Sequence, residues 1–292
     1  MNDRPARGNR RRLLLGLIGA GIQSSLTPAL HEREAAEHGV VCLYQTIDLE
    51  RWALSADALP DLLTAAERMG FSGLNITHPC KQSVLPLLTD LSSDARALGA
   101  VNTVVLREGR RWGHNTDWPA FSASFRRGLP GAAIGRIVQL GAGGAGAATA
   151  YAMLKMGAGH IVIFDLDPAR AAALAARCNS LFGEHRVSTS TDLAACLVAA
   201  DGLIHATPTG MHGHPGSAVP PELLRAGLWV ADVVYFPLET ELLRAARAAG
   251  CPTLDGSGMA VHQAVEAFRL FSGLEPDAER MRRHFVAMVQ SP

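Results

Sequence analysis

The chain has 292 residues, room for one large or two ordinary domains, and at 48% hydrophobic and 18% charged it can bury a sizeable core, which excludes a disordered chain. Its 27 basic and 27 acidic side chains cancel, which excludes a general binder of nucleic acid or of membrane surfaces. All but two of the basic residues are arginines; only Lys81 and Lys155 are lysines. Arg keeps its proton near neutral pH whereas a desolvated Lys can release one, so the candidates for amine acid–base chemistry are few. Five widely spaced cysteines with no Cys-x-x-Cys pair argue against a disulfide framework or a zinc site and fit a reducing, cytoplasmic setting.

In chain order, Arg10-Arg11-Arg12 precedes a short apolar run that Gly16 and Gly19 interrupt. With no Ala-x-Ala cleavage site after it, the segment is expected to be a disordered basic tail entering a first strand, Leu13–Ile18, rather than a signal peptide. No later run approaches the ~18 apolar residues of a membrane span. Ala29–His38 is predicted as a helix with Pro28 at its first position. The strand Val40–Ile47 and the helix Ala58–Met69 follow, then a short strand, Gly73–Ile76. Val101–Leu106 and Arg111–His114 form a predicted hairpin around Glu108-Gly109, and Gly128–Gly135 is expected to be a linker. Strands at Ile137–Leu140, His160–Asp165, Gly202–His205 and Leu228–Val234 then alternate with helices at Gly146–Met156 and Pro168–Cys178, and another helix closes at Arg244–Gly250. Two helices, Met259–Ser272 and Asp277–Val289, end the chain. Such alternation predicts an α/β fold with parallel sheets and helices on both faces.

Gly141-Ala142-Gly143-Gly144-Ala145-Gly146 matches G-x-G-x-x-G between a predicted strand and helix. In a dinucleotide-binding turn Gly141 would permit the bend, Gly143 the approach of a pyrophosphate, and Gly146 close helix–strand packing, with the helix N-terminus facing the phosphates. Asp165 ends the next strand, where a carboxylate hydrogen-bonds ribose hydroxyls and repels a 2′-phosphate, so NAD is expected rather than NADP. Arg170 could stack on adenine, read a 2′-phosphate or simply be solvated.

A second cluster lies at other strand ends. Asn75, Thr77 and Lys81, then Asn102, then Asp117, combine amide, hydroxyl, ammonium and carboxylate groups suited to a polyhydroxylated acid. Oxidising an alcohol requires removal of its proton as hydride leaves the carbon, which a partly desolvated Lys81 held by Asp117 could do. The competing readings are a surface lysine and, for Asp117, an N-cap of the helix starting at Trp118-Pro119. The histidines lack metal-ligand spacing, so no metal is expected.

These residues resemble the shikimate dehydrogenase family over nearly the whole chain. Its Ser-x-Ser-Pro is similar to Ser25-Leu26-Thr27-Pro28, its Asn-x-Thr-x-Pro-x-Lys to Asn75 through Lys81, its Gly-Ala-Val-Asn-Thr to Gly99–Thr103, and its Asn-Thr-Asp to Asn115–Asp117. The glycine turn, Tyr235-Phe236-Pro237 and Asp255–Gln263 complete the series. The resemblance implies two α/β domains with the active site in the cleft: a substrate domain, 1–117 with 256–292, and a Rossmann-type NAD-binding domain, 118–255. It implies that Ser25 and Thr27 bind the substrate carboxylate with Tyr235 near it, that Thr77, Asn102 and Gln263 hold ring hydroxyls alongside Asn75, and that Lys81 and Asp117 are the catalytic pair. The cofactor residues would be Gly141, Ala142, Gly143, Gly144, Ala145, Gly146, Asp165, Arg170, Thr207, Val234, Gly258 and Met259.

Thr27 in place of Ser, and Asp165-Leu166-Asp167 in place of an Asn-Arg-Thr-type loop, resemble the NAD-linked quinate/shikimate group. His205 stands where the family usually has Asn near the cofactor. The expected activity is NAD-dependent interconversion of quinate or shikimate and the 3-dehydro acid. The alternatives are an aminoshikimate- or aminoquinate-type substrate, or a weakly active regulatory homologue. The only expected partner is the small cyclic hydroxy acid, with a homodimer left open.

Overall fold

The computed structural model describes residues 11–290; most of the basic tail expected ahead of Leu13 lies outside them. The chain divides into two compact units: residues 11–92, 101–114 and 264–290 form one, and residues 93–100 and 115–263 the other. Among the described residues no helix is long and apolar enough to cross a membrane.

The first unit is built on a six-stranded sheet. Its strands are β1 (Arg12–Gly19), β2 (Val41–Asp48), β3 (Gly73–Ile76), β4 (Asp90–Leu91), β5 (Thr103–Arg107) and β6 (Arg110–His114), in the order β2-β1-β3-β5-β6-β4. β1 runs parallel to both β2 and β3. The predicted hairpin forms and joins this sheet, with β5 antiparallel to β3 and β6, so the sheet is mixed rather than wholly parallel. Glu108 and Gly109 both take positive φ, 54° and 69°, which suits a two-residue turn between right-twisted strands. β1 is central and almost entirely buried, whereas β2 lies at the edge and is partly exposed, as the burial of a central against an edge strand requires. Helices α1 (Thr27–Glu37), α2 (Leu59–Arg68) and the short α3 (Cys80–Ser83) belong to this unit, as does α11 (Ala278–Gln290). Its core gathers Leu13, Leu15, Leu17, Tyr44, Phe268 and Phe271.

The second unit carries a wholly parallel sheet. Its strands are β7 (Arg136–Leu140), β8 (His160–Phe164), β9 (Val187–Thr189), β10 (Gly202–His205), β11 (Trp229–Asp232) and β12 (Thr253–Leu254), ordered β12-β11-β10-β7-β8-β9. The chain builds outward from β7 in one direction and then returns to lay β10 on its other side. Ligands bind α/β sheets outside the carboxyl ends of strands at such a reversal, here β7 and β10. The helices are α4 (Ser93–Leu98), α5 (Asp117–Gly128), α6 (Gly144–Lys155), α7 (Pro168–Phe182), α8 (Leu193–Val198) and α9 (Glu241–Ala248). Helix α10 (Ser257–Ser272) is divided: its first seven residues group with the second unit and the rest with the first.

Local signals explain the helix boundaries. Asp167 accepts a hydrogen bond from the Ala169 N–H at 3.0 Å with Pro168 behind it, and Gly183 at φ 102° stops the helix. α7 therefore runs four residues past its expected end at Cys178, because Asn179 is compatible with the helix and ties to Val187 at both ends of its amide.

Candidate functional site

In the first unit the strand ends are interlocked by the backbone. The Thr77 N–H donates to the Ile18 carbonyl at 2.9 Å, and the Ala20 N–H to His78 at 2.9 Å. The Ile76 N–H donates to Asn102 at 2.8 Å, and the Val101 N–H to the Lys81 carbonyl at 2.9 Å. Thr77 and Lys81, from one stretch of sequence, and Asn102, from another, therefore sit together at one end of the interior strands of this sheet. Gly19 is required beside them, since a Cβ there would lie 2.2 Å from Thr77 Cγ2.

A directional chain of side chains lies beneath. Tyr44 Oη donates to Asn75 Oδ1 at 2.7 Å, Asn75 Nδ2 donates to Thr103 Oγ1 at 3.1 Å and to the Asn102 carbonyl at 3.2 Å, and Thr103 Oγ1 donates to Asn102 Oδ1 at 3.0 Å. Both amide hydrogens of Asn75 are thus committed, and the chain fixes which way round the Asn102 amide lies. Sequence reasoning placed Asn75 against the substrate and missed Tyr44 and Thr103; here Asn75 is bonded to the scaffold.

The loop bearing Ser25 and Thr27 is held from β2. Asp48, 3% exposed, accepts from the Gly21 and Ile22 N–H groups at 3.0 and 3.2 Å and from Gln23 Nε2 at 3.0 Å. Burial opposes its ionisation, but the Gln23 amide and the N–H groups of Gly21, Ile22 and Glu50 outweigh that and hold its carboxyl below the usual range. Ser25 Oγ accepts from the Thr27 N–H at 3.3 Å as α1 begins. His31, one turn further on, is wholly buried against Tyr44, 5.0 Å between ring centroids, with Nδ1 3.0 Å from the Thr27 carbonyl.

In the second unit the glycine turn joins β7 to α6. Gly141 sits at φ 101°, and a Cβ on it would meet the Ala206 carbonyl oxygen at 2.5 Å. A Cβ on Gly146 would meet the Gly141 carbonyl oxygen at 2.1 Å, whereas one on Gly143 would meet nothing within 4 Å. The turn is therefore closed against the protein at its ends and open at Gly143, which fits the approach of a pyrophosphate to the α6 N-terminus. Asp165 Oδ2 accepts from the Ala142 N–H at 2.7 Å, and Oδ1 from the Asp167 N–H at 2.9 Å, so the carboxylate is fixed at the lip of the turn. Arg170 is largely exposed, with Nε 3.4 Å from Asp167 Oδ2.

Asp117 is fully buried at the start of α5. The competing N-cap role does not fall to it: Asn115 Oδ1 accepts from the Asp117 and Trp118 N–H groups, at 3.0 and 3.4 Å. At the end of β10, His205 is 1% exposed, with Nδ1 2.9 Å from Asp232 Oδ1 and Nε2 2.5 Å from Thr207 Oγ1. Asp232 Oδ2 accepts from Thr240 Oγ1 at 2.7 Å, and its Oδ1 also accepts from the Val234 N–H at 3.0 Å. Thr207 Cγ2 lies 3.2 Å from where a Gly141 Cβ would stand, so Thr207 adjoins the turn. Met259 packs in the core of this unit, Gly258 approaches Ser124, Gln263 is half-buried, and Tyr235 is exposed.

Comparison with known proteins gives the family. Family models described as the shikimate dehydrogenase substrate binding domain and the shikimate 5′-dehydrogenase C-terminal domain match residues 17–104 and 256–284. A protein of Streptomyces avermitilis named shikimate dehydrogenase (NADP(+)) is 59% identical, over 92% of this chain and 93% of its own length. One of Corynebacterium efficiens named quinate/shikimate dehydrogenase (NAD(+)) is 50% identical, over 96% of this chain and 100% of its own. The solved quinate dehydrogenase from Corynebacterium glutamicum in complex with NAD matches with a TM-score of 0.89 at 49% identity, over 95% of this chain and 100% of that one. The chain belongs to the shikimate dehydrogenase family.

Proposed function

We propose that this protein oxidises a ring hydroxyl of quinate or shikimate, reversibly, with NAD as cofactor. The observation that carries the cofactor choice is the Asp165 carboxylate, fixed by the Ala142 and Asp167 N–H groups beside the glycine turn. Anchoring through one lone pair on each oxygen leaves the others to accept from ribose hydroxyls, and its charge opposes a 2′-phosphate. The two curated relatives differ in the cofactor they are named for, and overall identity does not rank them for this chain. Cofactor choice depends on the few residues ending β8, here Asp165-Leu166-Asp167.

The turn from Gly141 to Gly146, with Thr207, Val234, Gly258 and Met259, would hold the dinucleotide, which when bound accepts the hydride. Lys81 takes the hydroxyl proton as general base, with Asp117 as its carboxylate partner. Ser25 and Thr27 take the substrate carboxylate with Tyr235 near it, and Thr77, Asn102 and Gln263 the ring hydroxyls. Five unpaired thiols support a reducing, cytoplasmic location, with Cys80 and Cys178 pushed by burial up to about 11 and so kept as inert thiols.

Initial rates with quinate and shikimate, each against NAD and NADP, test the reading. The expected result is a kcat/KM for NAD at least about tenfold above that for NADP; a reversed preference overturns the cofactor assignment. Lys81→Ala should lower kcat roughly a hundred- to ten-thousand-fold while NAD still binds. Near-normal turnover would remove Lys81 as the base.

A further inference from the structure

A glutamine stands in an apolar strand under the glycine turn. Gln139 lies on β7, is 0% exposed, and its neighbours Ile137, Val138 and Leu140 are buried and apolar. Burying an amide there is costly unless every polar atom is satisfied, and every one is. Nε2 donates to the Gly141 carbonyl at 3.0 Å and to the Gly146 carbonyl at 2.9 Å. Oε1 accepts from Thr149 Oγ1 at 2.9 Å, and Thr149, also 0% exposed, lies one turn into α6 with Oγ1 3.1 Å from the Gly146 carbonyl.

These bonds act on the turn's two ends. A trans peptide directs its C=O and N–H to opposite sides. The Gly141–Ala142 peptide turns its carbonyl down to Gln139 and so presents the Ala142 N–H on the other side, where it donates to Asp165 Oδ2 at 2.7 Å. A continuous path therefore runs from Thr149 through Gln139 and one peptide plane to the carboxylate at the lip of the turn. The same amide clamps Gly146 against Gly141, the pair whose backbones approach too closely for any Cβ.

We infer that Gln139, oriented by Thr149, is a positioning residue that sets cofactor selectivity through Asp165: it fixes the Gly141–Ala142 peptide so that the carboxylate stands ready for a ribose diol. The inference rests on the proposal that NAD is the cofactor. Gln139 touches no ligand; it replaces the turn's freedom with one conformation before the dinucleotide arrives, and pre-organisation of that kind is read in affinity rather than in the chemical step.

The test uses the full chain with Gln139→Met, which keeps length and apolar bulk but removes the amide, and Thr149→Val, which removes only the hydroxyl. Calorimetric titration with NAD and NADP gives affinities, steady-state kinetics divide KM from kcat, and hydrogen exchange follows residues 137–147 in the protein without cofactor. Gln139→Met should weaken NAD about tenfold and NADP far less, leave kcat at saturating NAD within about twofold, and speed exchange at Ala142. Thr149→Val should weaken NAD about threefold and NADP less, speed exchange at Ala142 to a smaller extent, and likewise leave kcat within about twofold. A wild-type protein that prefers NADP defeats the cofactor reading. A wild type that prefers NAD, with an unchanged NAD-to-NADP ratio in Thr149→Val and in any soluble Gln139→Met, defeats the role of Gln139 alone. A fall in melting temperature with that ratio unchanged counts against it, since a purely structural amide predicts just that.

Discussion

The two units build their candidate binding surfaces from different materials. In the second, the surface is backbone: a turn of glycines with open space at Gly143, bounded by a carboxylate that main-chain N–H groups fix. In the first, the surface is side chains on interlocked strand ends, oriented by a partly buried relay from Tyr44 through Asn75 to Asn102. Both serve the same end, since each places polar groups at the ends of strands and holds them with further hydrogen bonds from the scaffold. The difference lies in what fails when an atom is added or removed. A backbone surface fails when bulk is added; a side-chain surface fails when a hydrogen bond is taken away.

The largest expected effect comes from adding bulk to the turn, and two glycines separate packing from access. Gly146→Ala places a methyl 2.1 Å from the Gly141 oxygen, a backbone atom that cannot step aside. We expect a stability loss of about 3 kcal/mol, at the upper end for overpacking, and loss of measurable NAD binding. Gly143→Ala meets nothing within 4 Å, and φ at that residue is −74°, a conformation alanine accepts. It should fold with wild-type stability in urea denaturation yet bind NAD at least about tenfold more weakly, because the methyl stands where phosphate oxygens would approach. If both variants bind NAD like wild type, the turn is not the cofactor's site.

The next effect belongs to the first unit and is driven by pH. His31 is wholly buried, and burial pushes its imidazole down to about 4. In the unfolded chain it titrates near its ordinary value, so between about pH 6.5 and 4 the unfolded state binds the proton and the folded state does not. Stability from this group is complete above about pH 6.5, falls as pH drops to about 4, and is level below that. A gap of about 2.5 units corresponds to about 3 kcal/mol. Urea unfolding from pH 7 to pH 4 should show this loss in the wild type, and His31→Phe should flatten it; equal slopes in the two would mean that the ring titrates freely.

How legible these features were in the sequence follows from the range of the interactions behind them. The strand–glycine turn–helix unit and Asp165 are local, and each was readable from residues within thirty positions of one another. Long apolar strands and capped helices were equally plain. The short strands β4, β9 and β12 carried no periodicity and exist because neighbouring strands supply their hydrogen bonds, as β8 does for β9, and the helices α4 and α8 are too short to show a helical period. Buried braces were the hardest to see. Tyr44 meets Asn75 across 31 residues, and His205 meets Asp232 across 27. His205 drew notice as a departure from the family, but nothing local pointed to its aspartate. Gln139 did leave a signal, a lone amide in an apolar strand two residues before the first glycine, but its partners Gly146 and Thr149 become neighbours only once the turn has formed.

The smallest expected effect tests the relay itself. Tyr44→Phe keeps the buried ring, its tilted contact with His31 and its place in the core, and removes one oxygen. Asn75 Oδ1 then loses its donor at 2.7 Å at a partly buried position, a loss of about 1 kcal/mol. Freed at that end, Asn75 can rotate, and with it the Thr103 hydroxyl that holds the Asn102 amide. The variant should therefore raise KM for the hydroxy acid several-fold while the affinity for NAD stays at the wild-type value, the reverse of the pattern expected from Gly143→Ala. Substrate titration in the presence of saturating NAD, beside NAD titration alone, separates the two; a matching loss in both titrations would mean that the first unit's relay does not orient the substrate groups independently of the turn.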